Sequence, residues 1–515
     1  MAETTVVPPQ SEFADAEITR LDNKLPSLDE VIEHLTGAFG RTQLLQCILV
    51  SLTRVFDGQQ TFISVFTDAE PTWHCIDNAT CKSDSNFCNL SASEWAWDGT
   101  SSKTIISEWS LQCASSFIRG LPASSFFLGC IFGGFALASL ADASLGRKKL
   151  LLLSCITMSF TALATIFSTN IWIYSTLRFI TGVGRASIGT CSLVLLTENV
   201  GKRWRGRASI LGFVFFTLGY LSLPAIAYIN RGSSWRALYL CTSIPTILYC
   251  AVVYFCVSES PKWLFTQGRE EEALAILKGF TSVNDGSLSL CLLSVPIKQN
   301  TISHDLYSTF KAILKKRRVL QQLLALMVIG FGIGMVYFGM PLGVGNMGFN
   351  IYLGALFNAL LEVPSYFITF FVIDRCNRKG ALLGFSILSG IFSILCFVVG
   401  DFRKEIKMGL ELASLFGACM AYNVLLIYTT ELFPTRIRNS ATSMVRQALA
   451  FGAVFSPSLI SAGKINGFLS YGVFGIVISL CGLFATCLPE TQGSMLYDTV
   501  DEQEESATIK EDNSA

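Results

Sequence analysis

Asp142-Ala-Ser-Leu-Gly-Arg-Lys-Lys149 and Asp374-Arg-Cys-Asn-Arg-Lys379 are one short device written twice: an acid, a turn, then a basic cluster. Each lies between two apolar segments. Thr197-Glu198 is followed by Arg203 and Arg205, and Thr430-Glu431 by Arg436 and Arg438, with the same internal spacing. Asp142 and Glu198 lie 56 positions apart, and Asp374 and Glu431 lie 57 apart. Glu259-Ser-Pro and Pro489-Glu490-Thr complete the pattern. A carboxylate therefore recurs at three matched points, and the two halves of the chain repeat each other.

The composition says where these halves reside. Hydrophobic residues make up 51% of the 515 and charged residues only 15%, against roughly 25% charged in a soluble protein. A bilayer span takes about 20 mostly apolar residues. Twelve such segments are expected, at 43–66, 117–140, 149–168, 171–196, 208–229, 236–257, 319–343, 350–373, 380–400, 408–431, 440–462 and 467–488. Basic residues gather in the even-numbered loops: Arg147 to Lys149, Lys202 to Arg207, Lys315 to Arg318, Arg375 to Lys379, then Arg436 and Arg438. The positive-inside rule then puts both termini in the cytosol. The expected organisation is a cytosolic tail over 1–42, a six-helix unit over 43–257, a cytosolic helical loop over 258–318, a second six-helix unit over 319–488 and an acidic tail over 489–515. In the cytosolic loop, helices are expected at 269–279 and 304–318.

A zero net charge argues against a nucleic-acid partner. No phosphate loop is present, so no nucleotide is expected. The 3 histidines, His34, His74 and His304, all fall in polar stretches. Neither a metal site nor a nucleophile–base constellation is legible, which argues against an enzyme. The loop at 67–116 falls on the outer face and holds Cys75, Cys81, Cys88 and Cys113. Two disulfides are expected there, with all three pairings open. The same loop carries sequons at Asn78 and Asn89, both candidates for glycosylation.

Parallel six-helix repeats are the architecture of major facilitator transporters. The second loop resembles that superfamily's acid–glycine–arginine signature, with Gly146 as its glycine. Arg178, Gly182 and Gly184 resemble the fourth-helix signature. Two longer strings, Glu259-Ser-Pro-Lys-Trp-Leu-Phe-Thr-Gln-Gly-Arg-Glu-Glu-Glu-Ala273 and Glu431-Leu-Phe-Pro-Thr-Arg-Ile-Arg-Asn439, are sharper. With the long cysteine-bearing outer loop they resemble the organic cation/carnitine transporters, the plant members most of all. The resemblance implies an all-α membrane fold of twelve helices in two pseudo-symmetric bundles. It implies a plasma-membrane or vacuolar location and a secondary transporter, with no cofactor beyond a coupling ion, H+ or Na+. The first signature is one residue longer than usual, and Asn377 stands where the second copy would have glycine.

Paired charges at the cytosolic helix ends can form a gate that rocking must break. The candidates are Asp142, Arg147, Glu198, Arg203, Asp374, Arg378, Glu431 and Arg436. Within the spans lie Arg54, Asp57, Arg178, Arg185, Glu362 and Arg446, and a charge at that depth needs a partner or a cavity. In the resembled family the carboxylate of span eight, here Glu362, and the tyrosine of span seven, here Tyr337, line the central cavity. Tyr366 shares a helix face with Glu362. A carboxylate among aromatics suits a quaternary ammonium. Arg446, Arg185 and Asp57 are further substrate-contact candidates. Simple neutralisation competes with that role, as Arg54–Asp57, Asp57–Arg185 or Glu362–Arg446. The arginine excess fits a zwitterion such as carnitine better than a bare cation. An organic-anion or sugar-like porter and a non-transporting receptor are the alternatives.

Overall fold

The computed structural model describes residues 40–76, 88, 90–91, 93–143, 145–280, 316–373, 375–400, 403–464 and 466–492. Twelve helical spans appear. Span one is Arg41–Phe62, continued by Ser64–Thr67; span two is Ser116–Ala143 and span three Arg147–Ala164. Span four is Ile171–Arg185 with Ile188–Glu198, span five Arg205–Ile229 and span six Trp235–Cys256. The second half runs Arg317–Gly343, Ile351–Ile373, Arg378–Val399, Lys404–Leu432, Thr435–Gly463 and Tyr471–Leu483. Short helices Pro261–Thr266 and Glu270–Phe280 follow span six. The second helix expected in that loop lies mostly outside the described residues.

Ten of the spans are long and apolar enough to cross a bilayer on composition alone. Spans one and eleven are the other two, and they carry Arg54, Asp57 and Arg446. Their polar side chains point inward. Gln43, Gln46, Asp57, Gln59 and Gln60 of span one are all buried, so little of that polarity meets lipid.

Backbones approach closely where small residues allow it, as in membrane bundles generally. A Cβ on Gly219 would lie 2.0 Å from the Val55 carbonyl oxygen, which locks span five against span one. A Cβ on Gly334 would lie 2.1 Å from the Leu449 oxygen, and one on Gly452 2.1 Å from that of Phe331, which locks span seven against span eleven. Spans one and five of the first half correspond to spans seven and eleven of the second. The repeat therefore extends to packing.

The halves meet along spans two and eleven and along spans five and eight. At the end that carries the 67–116 loop they are bonded together. Arg119 Nε donates to Ser461 Oγ at 2.8 Å and Ser124 Oγ to the Val454 oxygen at 2.7 Å. Lys464 Nζ reaches Glu70 Oε2 at 2.6 Å. This end of the molecule is shut.

The described part of the 67–116 loop packs on the same end. It contains a two-stranded antiparallel hairpin, β1 Trp73–Cys75 and β2 Trp95–Trp97. Cys88 and Cys113 form a disulfide, and Cys75 is also disulfide-bonded. Asn78, Cys81 and Asn89 lie outside the described residues. Glu108 anchors the loop to span six, accepting from Trp235 Nε1 at 2.7 Å and from both Arg236 terminal nitrogens at 2.6 and 2.8 Å. Burial pushes the Glu108 carboxyl up, but these bonds outweigh it and hold it below the ordinary glutamate value of 4.5. The bonded form is the charged one. Its stabilisation is complete above that ordinary value and is lost as pH falls through the lower folded-state value. Glu108→Gln is expected to lower the melting temperature near neutral pH. The two melting curves should converge once the pH falls below the lowered folded-state value, as read by thermal unfolding of the purified protein.

Candidate functional site: the central cavity and the cytosolic charge clusters

A helix begins with unsatisfied N–H groups and a partial positive charge, and a carboxylate placed there satisfies both. The charged repeat does this in each half. Glu259 Oε1 accepts from the backbone N–H of Arg147 at 2.9 Å and of Lys148 at 3.0 Å. Glu490 Oε1 accepts from the N–H of Arg378 at 2.9 Å, and its Oε2 from that of Lys379 at 3.2 Å. The end of each half is thus tied to the start of its third helix.

The two turns differ locally. Gly146 has φ +80°, a conformation glycine enters without strain, and a Cβ there would lie 2.5 Å from Glu259 Oε2. Asn377 has φ −55°, ψ 127° and needs no glycine. The missing glycine of the second copy is thereby explained, since a different turn delivers the same carboxylate contact.

Arg147 Nε lies 3.8 Å from Glu198, and Arg378 Nε lies 3.2 Å from Glu431. Thr491 also donates to Glu431, at 2.9 Å. These pairs stay within their own halves, while the described ties between halves lie midway along the spans and at the end that carries the 67–116 loop. Arg203 is exposed. The side chains of Asp142, Asp374 and Arg436 lie outside what the structure describes.

Farther in, Asp57 is fully buried. One of its oxygens pairs with Arg54 and the other with Arg185 Nε at 2.5 Å. Arg54 also lies over the Phe216 ring, 4.9 Å from its centroid. The triad satisfies itself, so the structure brings Asp57 and Arg185 to each other and not to Glu362. Arg178 sits higher in the first half. It bonds the Gln60 carbonyl and Ser64 Oγ at 3.2 and 3.1 Å and lies over Phe126 at 4.3 Å. Gly182 and Gly184 let spans two and three approach this helix: a Cβ would lie 2.0 Å from the Phe126 oxygen and 2.7 Å from the Met158 nitrogen respectively. The fourth-helix signature is therefore structural here.

Glu362 lies halfway along span eight and is 3% exposed. Its Oε1 accepts from the Tyr337 hydroxyl of span seven, and its Oε2 from Thr217 Oγ1 of span five at 2.7 Å. The Thr217 bond crosses from one half to the other. Tyr337 stacks on Tyr422, with centroids 4.8 Å apart, and Tyr366 faces Phe213 of the first half at 5.6 Å. The carboxylate thus sits in an aromatic surround drawn from both halves. No ion pair between Glu362 and Arg446 occurs among the described residues.

Arg446 instead lines a small cavity with Arg54, Ser192, Ser209 and Phe213, and its Nε has no hydrogen-bond partner. Gly189 keeps that cavity open, since a Cβ there would lie 2.7 Å from Arg54 Nη1. Phe213 lines the arginine cavity and also faces Tyr366, so it joins the cationic and anionic regions.

Sequence reasoning located Glu362, Tyr337, Tyr366 and Arg446 but missed Thr217, Phe213 and Tyr422, which carry no sequence signal of their own. It also missed Glu411, an acid at the edge of a predicted span. Gly146→Val is expected to displace the Glu259 carboxylate and lower transport, while Asn377→Gly leaves it near wild type. Initial uptake rates, normalised to surface expression, would measure both.

Residues 75–501 match the sugar (and other) transporter family. An Arabidopsis thaliana organic cation/carnitine transporter 3 is 55% identical over 93% of both chains. The organic cation/carnitine transporter 2 of the same plant is 53% identical over 93% of this chain and 94% of its own. Among solved structures, a partially occluded inward-open xylose transporter XylE from E. coli superposes with a TM-score of 0.62 at 18% identity, covering 88% of this chain and 99% of that one; at that identity it supports the fold alone. The chain is a multi-pass membrane transporter and belongs to the organic cation/carnitine transporter family of the major facilitator superfamily.

Proposed function

We propose that this transporter carries carnitine and related organic cations by alternating access, with both termini in the cytosol of a plasma-membrane or vacuolar carrier. The observation that carries the reading is Glu362, a buried carboxylate held at the interface of the halves by Tyr337 and Thr217. A trimethylammonium group would find charge and aromatic faces there. The carboxylate of the same molecule would find the cavity of Arg446 and Arg54, linked to Glu362 through Phe213 and Tyr366. Such a substrate spans the seam, so binding is felt by both halves. Opening outward would separate Arg119 from Ser461 and Glu70 from Lys464.

The excess of arginine in the central cavity favours one rival, an organic-anion porter. The two readings separate in labelled carnitine uptake by cells that lack a carrier of their own. Wild type should take up carnitine, and Glu362→Gln should lower uptake at least about tenfold, because losing a buried charge partner costs about 2–5 kcal/mol and about 1.4 kcal/mol is a factor of ten. Arg446→Ala should weaken carnitine more than tetraethylammonium, which has no carboxylate. A well-expressed wild type that moves organic anions and not carnitine would overturn the assignment.

A further inference from the structure

Span ten carries a second buried carboxylate, which the central site does not use. Glu411 is 0% exposed and Asn358, on span eight, 1% exposed. Asn358 Nδ2 donates to Glu411 Oε1 at 3.1 Å. That is the only bond Glu411 makes among the described residues; Asn358 also interacts with the Tyr220 side chain, and Glu411 Oε2, Asn358 Oδ1 and the Tyr220 hydroxyl are each buried without a partner at hydrogen-bond distance. A carboxylate and an amide joined through one N–H, each with an unsatisfied oxygen, are one proton short of a complete pair. If Oε2 carries hydrogen, its O–H can donate to the Asn358 carbonyl while the amide N–H keeps its bond to Oε1. Two orphaned acceptors are then satisfied by one proton, and the buried charge disappears with them.

We infer that Glu411 and Asn358 form a proton-binding site of the C-terminal half, separate from Glu362, and that protonation of Glu411 couples transport to the proton gradient. The inference rests on the transport reading above and supplies its coupling ion.

No ion pair to Glu411 occurs among the described residues. Lys407, one turn earlier on span ten, lies 5.9 Å over the Tyr471 ring. Spans seven and nine carry charge only at their cytosolic ends, Arg317 and Arg318, then Arg378 and Lys379. The titratable groups nearby are Cys419 on the same helix, Glu362 on span eight and Tyr220 on span five. Tyr220 belongs to the other half, is 2% exposed and faces both Glu411 and Glu362. Rocking therefore carries the phenol away from the pair and changes what reaches Glu411. With the outer end shut, the site is sealed from that side. A neutral Glu411 can ride through the apolar core. An ionised one cannot do so without a counter-cation, since an unpaired charge there is expensive. The proton's gain and loss are then tied to the two open states.

Two measurements test this. The first needs no substrate: infrared spectroscopy of purified protein near neutral pH should show a carboxylic-acid carbonyl stretch that is lost in Glu411→Gln. The second uses proteoliposomes and labelled carnitine. Glu411→Gln, which keeps a neutral side chain at the site, should retain carnitine counterflow but lose accumulation driven by an imposed proton gradient. Absence of the Glu411-dependent acid band would overturn the site, and undiminished gradient-driven accumulation by Glu411→Gln would overturn the coupling. Loss of counterflow with normal thermal unfolding would overturn the separation from the substrate site. A wild type with the acid band but no carnitine movement would sink the carnitine reading and leave the proton site standing.

Discussion

A charge inside a bilayer must find its partner inside the protein, and the interior of this molecule is organised by that requirement. Asp57 meets it with two guanidiniums, one from its own helix and one from span four. The cost of any one of these charges alone is several times the thermal energy; on insertion scales it is about 2.5–3.5 kcal/mol at mid-membrane. Pairing them fixes spans one and four in register and leaves the triad one positive charge in excess. Arg446 adds another beside Arg54. Among the described residues the carboxylates of Glu362 and Glu411 have no guanidinium bonded to them; each relies on hydroxyl or amide donors. The arginine cluster and the Glu362 carboxylate are thus separate regions of the interior, an arrangement suited to a ligand that carries both signs.

Alternating access also requires that each half move as a body. The helix-end carboxylates supply this. Glu259 returns from the end of the first half to the start of span three, and Glu490 from the end of the second to the start of span nine, on residues 111 and 112 positions away in both copies. A charged cap of this kind contributes about 0.3–1 kcal/mol, more when partly buried. With Arg147–Glu198 and Arg378–Glu431 added, this end of each half is laced within itself. The same residues were expected to tie the halves together as a gate. With the outer end shut, the described pairs do not cross the seam, which fits a gate whose inter-half contacts belong to the opposite state.

The parts of this structure legible in the sequence are those with a period or a repeat. The spans follow from apolar runs, and the matched carboxylates follow from spacing alone, so their boundaries agree with the observed helices to within a few residues. The central carboxylate was legible because a lone acid in an apolar run is conspicuous. Thr217 and Phe213 were not, because a threonine or phenylalanine in a membrane helix carries no mark of which way it faces. Glu411 was hidden for a related reason. It falls at the edge of the expected span 408–431, just after Arg403, Lys404, Glu405 and Lys407, and so reads with the charges that lead into the span. The helix begins at Lys404, which places the acid seven residues inside it.

Span five shows how the two chemistries are joined. Phe213, Thr217 and Tyr220 stand at i, i+4 and i+7 and so share one face. That face lies at the seam, although Tyr220 also stacks on Phe62 of its own half, with centroids 4.0 Å apart. Phe213 meets Tyr366, Thr217 bonds Glu362, and Tyr220 faces Glu362 and Glu411. One helix of the first half thereby touches the aromatic wall, the Glu362 carboxylate and the Glu411–Asn358 pair of the second. Any rocking that moves span five along span eight must alter all three contacts together. On the proposed roles, a proton on Glu411 and a cation on Glu362 would need no relay between them to influence each other, because each would change the cost of the same displacement. Coupling of this kind lies in the shared helix face rather than in a wire of residues.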